Sequence, residues 1–442
     1  MAEWCAENLR ECEGWRAAGL ELSTTSNESA RLLDGALRQL VSWRDNAQLG
    51  GLSQTMQKMI AADEDAVLAR VFTVGLHAMG SGSCALTVPL FNQQVTEMEL
   101  LAEKCGNDRE KKHAKAVALF ARGYLPEAEQ TWEEILSDHP NDLLAIKFAH
   151  DSYFFSGNSR GKRDSVGRVI QKWREDEPMR SYLFGMHAFG LEECGDYADA
   201  EKAARTALSL RREDCWATHA LAHVFEMQGR NSEGARHMDS TVRDWEPCYM
   251  LACHNFWHRS LFAMDDGEYE TALSLFDNEI GRRSRDSEGM LDIVDAASLL
   301  WRLELEGVNV GKERWRSLPS LTSHLHEHSL IFNDVHFGMI LKKSGQQEEE
   351  KTLCESLHKF VKNGPANNNQ KVCAAIGESL YEECKLLRTK IMKDRPRSFS
   401  PFVSRSSPSE EAMLRMMSSC KRCFMPASYQ ETRNSEVKPC SS

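Results

Sequence analysis

Residues Gly195–Leu210 read GDYADAEKAARTALSL. A Gly-Asp turn opens a helix, and Ala200, Ala203, Ala204, Ala207 and Leu208 recur at i, i+3, i+4, i+7 and i+8, which is one helical face. Small residues on a packed face let another helix approach closely. A helix of this length cannot bury that face alone, so the stretch calls for repeated neighbours.

Those neighbours are present. Turn glycines fall at Gly123, Gly157, Gly195, Gly229, Gly267, Gly307 and Gly345, with spacings of 34, 38, 34, 38, 40 and 38. A period near 34 built from helix–turn–helix units is the tetratricopeptide signature. Three units share a finer register. Gly123-Tyr124-Leu125-Pro126-Glu127-Ala128, Gly195-Asp196-Tyr197-Ala198-Asp199-Ala200 and Gly267-Glu268-Tyr269-Glu270-Thr271-Ala272 each place Ala five residues after Gly. A larger side chain there would push the two helices of the unit apart. The fold expected is all-α, a solenoid of tetratricopeptide-like helical hairpins. Its expected parts are an N-terminal helical region (1–107), a repeat array (108–388) and a Ser/Pro-rich disordered tail (389–442).

Several segments carry a resemblance beyond the generic repeat. They are Leu22–Glu28 (LSTTSNE), Asp138-His139-Pro140, Ala149–Phe154 (AHDSYF), Met250–His258 (MLACHNFWH), Glu306–Gly311 (EGVNVG) and Ile331–Phe337 (IFNDVHF). On these the chain resembles the tetratricopeptide repeat protein 38 family, from about residue 20 to about residue 380. The resemblance implies a soluble repeat protein and brings no activity with it. It ends at the tail, where residues 389–442 hold twelve Ser, five of the twelve Pro, and ten Lys and Arg against five Asp and Glu. That composition predicts disorder and leaves the array without a capping helix, which also admits a reading of the chain as a shifted or truncated form.

The net charge is -12 over 442 residues, with a pI near 5.7. Nucleic-acid binding needs a basic footprint, so a nucleic-acid partner is not expected. No apolar run reaches the ~18 residues of a membrane span. The first residues lack the basic start and apolar core of a signal peptide. Fourteen scattered Cys suit reduced thiols, and the expected place is the cytoplasm.

Function is read from the first helices of the hairpins, which line the concave groove of such arrays. The leading expectation is a scaffold that offers an acidic, His-bearing groove to a protein or peptide segment. Its groove residues would be Lys147, Asp151, Phe154, Phe189, Glu192, His219, His223, Glu226, His254 and Trp257. The alternative is a metal site or metal-dependent enzyme. His219 and His223 are an i, i+4 pair, as are His254 and His258 in the next first helix, and two such pairs on adjacent helices could surround zinc or a similar divalent ion. The groove-facing phase is clear for His219, His223, Glu226 and His254 and less so for His258. No His-Glu-x-x-His zinc-hydrolase motif is present, so no catalytic residue is assigned and no cofactor is the leading expectation.

Other motifs are weaker. Gly80–Ala85 fits Gly-x-Gly-x-x-Ala, but the preceding stretch reads as helix, not strand. Cys420-Lys-Arg-Cys423 lacks further ligands at zinc spacing. His324, His326 and His328 are expected to be solvated.

Overall fold

The structure, a computed structural model, describes residues 3–80, 83–328 and 330–363. Among them there is no strand. Five helices come first: α1 (Cys12–Ala17), α2 (Asn27–Ser42), α3 (Gly51–Ala62), α4 (Val67–Gly80) and α5 (Pro89–Cys105). Ser26 caps α2 by accepting a hydrogen bond from the Ser29 amide.

Seven hairpins follow. They are α6 (Asp108–Ala121) with α7 (Leu125–Asp138), α8 (Leu143–Ser156) with α9 (Ser159–Ile170), and α10 (Arg180–Glu193) with α11 (Tyr197–Leu210). Next come α12 (Cys215–Met227) with α13 (Asn231–Trp245), and α14 (Leu251–Asp265) with α15 (Tyr269–Leu275), a π turn (Phe276–Ile280) and α16 (Gly281–Ser287). The last two are α17 (Met290–Leu305) with α18 (Lys312–Arg316), and α19 (Ile331–Ser344) with α20 (Gln347–Asn363). The expected tail, the end of the expected array and Cys420–Cys423 lie outside the described residues.

All seven repeat glycines have positive φ, for example +84° at Gly195. Each ends a first helix in the left-handed conformation that glycine adopts without a Cβ clash. At Gly195 the turn is closed by its own amide donating to the Glu192 carbonyl at 2.8 Å and the Asp196 amide donating to Leu191 at 3.0 Å. The alanines five residues on, Ala128, Ala200 and Ala272, are fully buried. In α11, Ala200, Ala204 and Ala207 face the core, while Ala203 and Leu208 are half-buried. First helices stack on first helices, α10 on α12, α12 on α14, α14 on α17 and α17 on α19. Among the described residues no helix is long and apolar enough to cross a membrane.

The N-terminal region does more than precede the array. Trp43, at the end of α2, packs on Trp216 of α12 (6.1 Å between ring centroids) and on Tyr249 (5.6 Å). The Tyr249 hydroxyl donates to the Gln39 carbonyl at 2.9 Å. The Lys147 ammonium of α8 lies 4.5 Å from the Trp43 ring centre. Chain segments far apart in sequence therefore cover part of the first-helix face.

One buried acid has a testable consequence. Glu129 of α7 accepts from the Ser152 hydroxyl at 3.2 Å. Burial, only partly offset by Ser156, Ser152 and Asn158, raises its carboxyl to about 7. The folded protein therefore favours the neutral acid. That contribution is complete below the ordinary carboxyl value of 4.5 and is lost as pH rises to about 7. Glu129→Gln should stabilise the protein by up to ~3 kcal/mol at pH 8 and have almost no effect at pH 4.5. Urea unfolding at the two pH values measures the difference; an equal effect at both would contradict it.

Candidate metal centre

His219 and His223 lie one turn apart on α12, and His254 and His258 one turn apart on α14. Because α12 packs along α14, the four imidazoles meet. One nitrogen from each lies within 4.8 Å of one nitrogen of every other. His219 Nε2 and His223 Nε2 are 2.9 Å apart. The rings of His223 and His258 are 4.4 Å apart, and those of His219 and His254 4.8 Å.

Three of the four rings are oriented by carboxylates on their Nδ1 side. His254 Nδ1 lies 2.9 Å from Asp295 of α17. His258 Nδ1 lies 3.1 Å from Glu226, at the end of α12. His223 Nδ1 lies 3.5 Å from Glu192, at the end of α10. These contacts turn each Nε2 toward the centre. The turn glycines set two of the carboxylates: Glu192 and Glu226 each stand three residues before one, in the last turn of a first helix. The fourth ring, His219, is held by stacking on Trp216, with 5.0 Å between centroids and 14° between planes. His254 stacks likewise on Trp257, at 5.2 Å and 9°.

Two buried nitrogens, His219 Nδ1 and His258 Nε2, have no hydrogen-bond partner among the described residues. Of the two, His258 Nε2 belongs to the inner side of its ring, opposite the Nδ1 that faces Glu226, whereas His219 Nδ1 is not the nitrogen that meets His223. Burial and the surrounding charges act differently on these groups. Burial and the other three imidazoles push the His219 pKa well below its usual value. Burial also lowers His258, against the pull of Glu226. Burial would raise the Glu226 carboxyl, but His258 and Arg302 hold it below its ordinary value, so it is ionised. For His254, burial is outweighed by Asp295, and the value is raised. An imidazole whose outer nitrogen faces a carboxylate is the donor arrangement of protein metal centres, in which the outer carboxylate fixes ring orientation and increases donor strength. The nearby thiols point elsewhere: Cys215 Sγ to the Ser42 carbonyl at 3.8 Å and Cys253 Sγ to the Ile280 carbonyl at 3.7 Å.

No protein-family profile matches the chain. Among solved structures, it is similar to a Rap protein complexed with competence and sporulation factor, at 14% identity, over 80% of this chain and 100% of that one, with a TM-score of 0.47. It is also similar to human IFIT1, solved as a dimer with PPP-AAAA, at 13% identity, over 98% of both chains, with a TM-score of 0.39. What the site does is decided by its own atoms.

Of the ten residues expected in the groove, Lys147, Phe189, Glu192, His219 and Trp257 are buried. Asp151, His223, Glu226 and His254 are half-buried, and Phe154 is exposed. Lys147 pairs with Asp151 at 2.8 Å beneath Trp43. His258, whose facing the sequence left open, is inside the cluster and 1% exposed. Asp295 was missed. Its signal was a lone carboxylate in the apolar run Ile293-Val294-Asp295-Ala296-Ala297, since a buried acid requires a partner.

Two smaller expectations change or fall away. His328 is buried, not solvated, because α20 returns over it: its Nδ1 lies 3.0 Å from Asp334 and its Nε2 2.8 Å from the Ser356 hydroxyl. Gly80 ends the helix α4, and no strand precedes it, so the dinucleotide motif has no βαβ setting; Ser81 and Gly82 lie outside the described residues.

The helix carrying Phe189 and Glu192 sits very close to its neighbour. A Cβ on Gly190 would stand 2.6 Å from the Arg163 Cα and 2.8 Å from its amide nitrogen. Backbone cannot yield as a side-chain tip does. Gly190→Ala should separate α9 from α10 and destabilise the fold by ~1–3 kcal/mol. Denaturant unfolding checks this, and an unchanged midpoint would refute the close packing.

Proposed function

We propose that this chain is a metal-binding helical-repeat protein, in which His219, His223, His254 and His258 hold one divalent first-row transition metal. The observation that carries the reading is the convergence of four imidazoles from two helices, with carboxylates on the outer nitrogens of three. Imidazole donors suit zinc, copper, iron and nickel, whereas magnesium and calcium take oxygen ligands. A four-imidazole centre without thiolate or carboxylate in contact keeps the full +2 charge of the ion. Glu192, Glu226 and Asp295 offset that charge from the outer layer.

The reading of a partner segment lying along the groove draws on the same face, but Phe154 is the one exposed member of its ten residues. The segments that resemble the tetratricopeptide repeat protein 38 family include Met250–His258, which supplies His254 and His258. We read the chain as a relative of that family on those segments.

Metal analysis of the purified full chain tests the proposal. Close to one equivalent of a transition metal is expected, either as purified or after loading, and a chelator should remove it with a fall in thermal stability, since binding to the folded state alone stabilises it. A chain that takes up no metal at micromolar ion concentration would overturn the proposal.

A further inference from the structure

Resting on that metal reading, we infer that the centre is open: the ion keeps at least one exchangeable position on the groove side and takes a small anion directly as a ligand. Three observations point there.

The first is the spacing of the donors. In a tetrahedral site with metal–nitrogen bonds of ~2.05 Å, neighbouring nitrogens stand ~3.4 Å apart, and at a right angle they stand ~2.9 Å apart. His219 Nε2 and His223 Nε2 are 2.9 Å apart. That separation, a hydrogen bond between the two rings here, also fits a right-angle edge, which square-planar, five-coordinate and six-coordinate shells share. Four imidazoles leave an axial position of any of these shells open.

The second is the lopsided burial. The His258 side chain is 1% exposed and His219 is buried, so the side of the centre facing the core is sealed. The side chains of His223 and His254 are 24% and 29% exposed. A closed structural site covers the ion on every side, whereas a site that does chemistry leaves a position for water or substrate.

The third is charge. None of the three carboxylates is spent on the ion: Asp295, Glu226 and Glu192 each face an Nδ1. The thiols of Cys215 and Cys253 bond to backbone carbonyls. Among the described residues no carboxylate or thiolate is grouped with the four imidazoles, so the ion presents its full charge to whatever enters beside His223 and His254, the two more exposed rings. Trp216 stacks on His219 and Trp257 on His254, which sets the planes of those two rings at the centre. An entering ligand must be small and must carry its own negative charge. The event is ligand exchange: the metal–oxygen bond to water breaks, the bond to the anion forms, and no electron is transferred. A metal-bound water at such a position is also the usual source of hydroxide for metal-assisted hydrolysis.

The test is an azide titration of the full chain loaded with copper(II) and freed of excess metal. The expected result is a saturable azide-to-copper charge-transfer band, with at least one azide bound per copper. Copper bound at one equivalent with a spectrum that excess azide leaves unchanged would overturn the open centre while leaving the metal-binding reading standing. A chain that binds no copper and no other transition metal would overturn both.

Discussion

A protein carrying His223→Ala and His254→Ala should keep its helical content and lose its metal. The two side chains are 24% and 29% exposed, so their removal opens no sealed cavity. Two of four donors disappear, and the remaining pair, His219 and His258, cannot retain an ion against micromolar competition. Far-UV circular dichroism and metal content measured on one sample separate the two effects. The graded companion is Asp295→Asn. It leaves all four donors in place but weakens the orienting contact to His254 Nδ1, now 2.9 Å from the carboxylate. Loss of an outer partner of this kind lowers affinity ~10–100-fold. Full metal content in the double variant would contradict the assignment of the ligands.

Asp142→Ala should be the most damaging single change to the fold. Asp142 Oδ2 accepts from the Arg109 guanidinium at 2.6 Å and lies 3.0 Å from His113 Nε2. Its Oδ1 caps α8 by accepting from the Ala145 amide at 3.0 Å. Arg109 also donates to the Leu20 and Glu21 carbonyls at 3.1 and 3.0 Å, tying the N-terminal segment to the first hairpin. Side-chain exposure is 5% for Arg109 and 3% for Asp142. Removing the carboxylate strands a buried cation, which costs ~3–5 kcal/mol, and deletes a helix cap, which costs ~1 kcal/mol. The same group makes stability depend on pH. Burial would raise the Asp142 carboxyl, but His113 and Arg109 outweigh it and depress the value below its ordinary 3.8. The contribution is thus complete above 3.8 and is lost as pH falls beneath it. Denaturant unfolding of the variant should show the loss at pH 7 and a shrinking difference from the parent protein in acid. A difference below ~1 kcal/mol at neutral pH would contradict the account of the pair.

The hairpins were legible because their signals are local. Seven glycines mark seven left-handed turns, and Ala128, Ala200 and Ala272 mark fully buried positions on the second helices. The imidazole pairs were legible for the same reason: four-residue spacing on a helix needs no tertiary knowledge. Their convergence also required α12 to lie on α14, which the repeat implied. Contacts between distant segments left no such pattern. Nothing near Lys147 announces that Trp43, more than a hundred residues earlier, will cover it. Asp295 reaches His254 across forty-one residues, and His328 is buried by a helix that follows it. Of the ten groove residues expected from the sequence, five are therefore buried, four half-buried and one exposed.

X-ray absorption at the metal edge of the loaded full chain addresses the centre most directly. The account predicts four imidazole nitrogens at ~2.0–2.1 Å with their outer-ring scattering, no sulfur, and one or two further light-atom ligands. A shell containing sulfur, or one dominated by oxygen with fewer than three imidazoles, would contradict it.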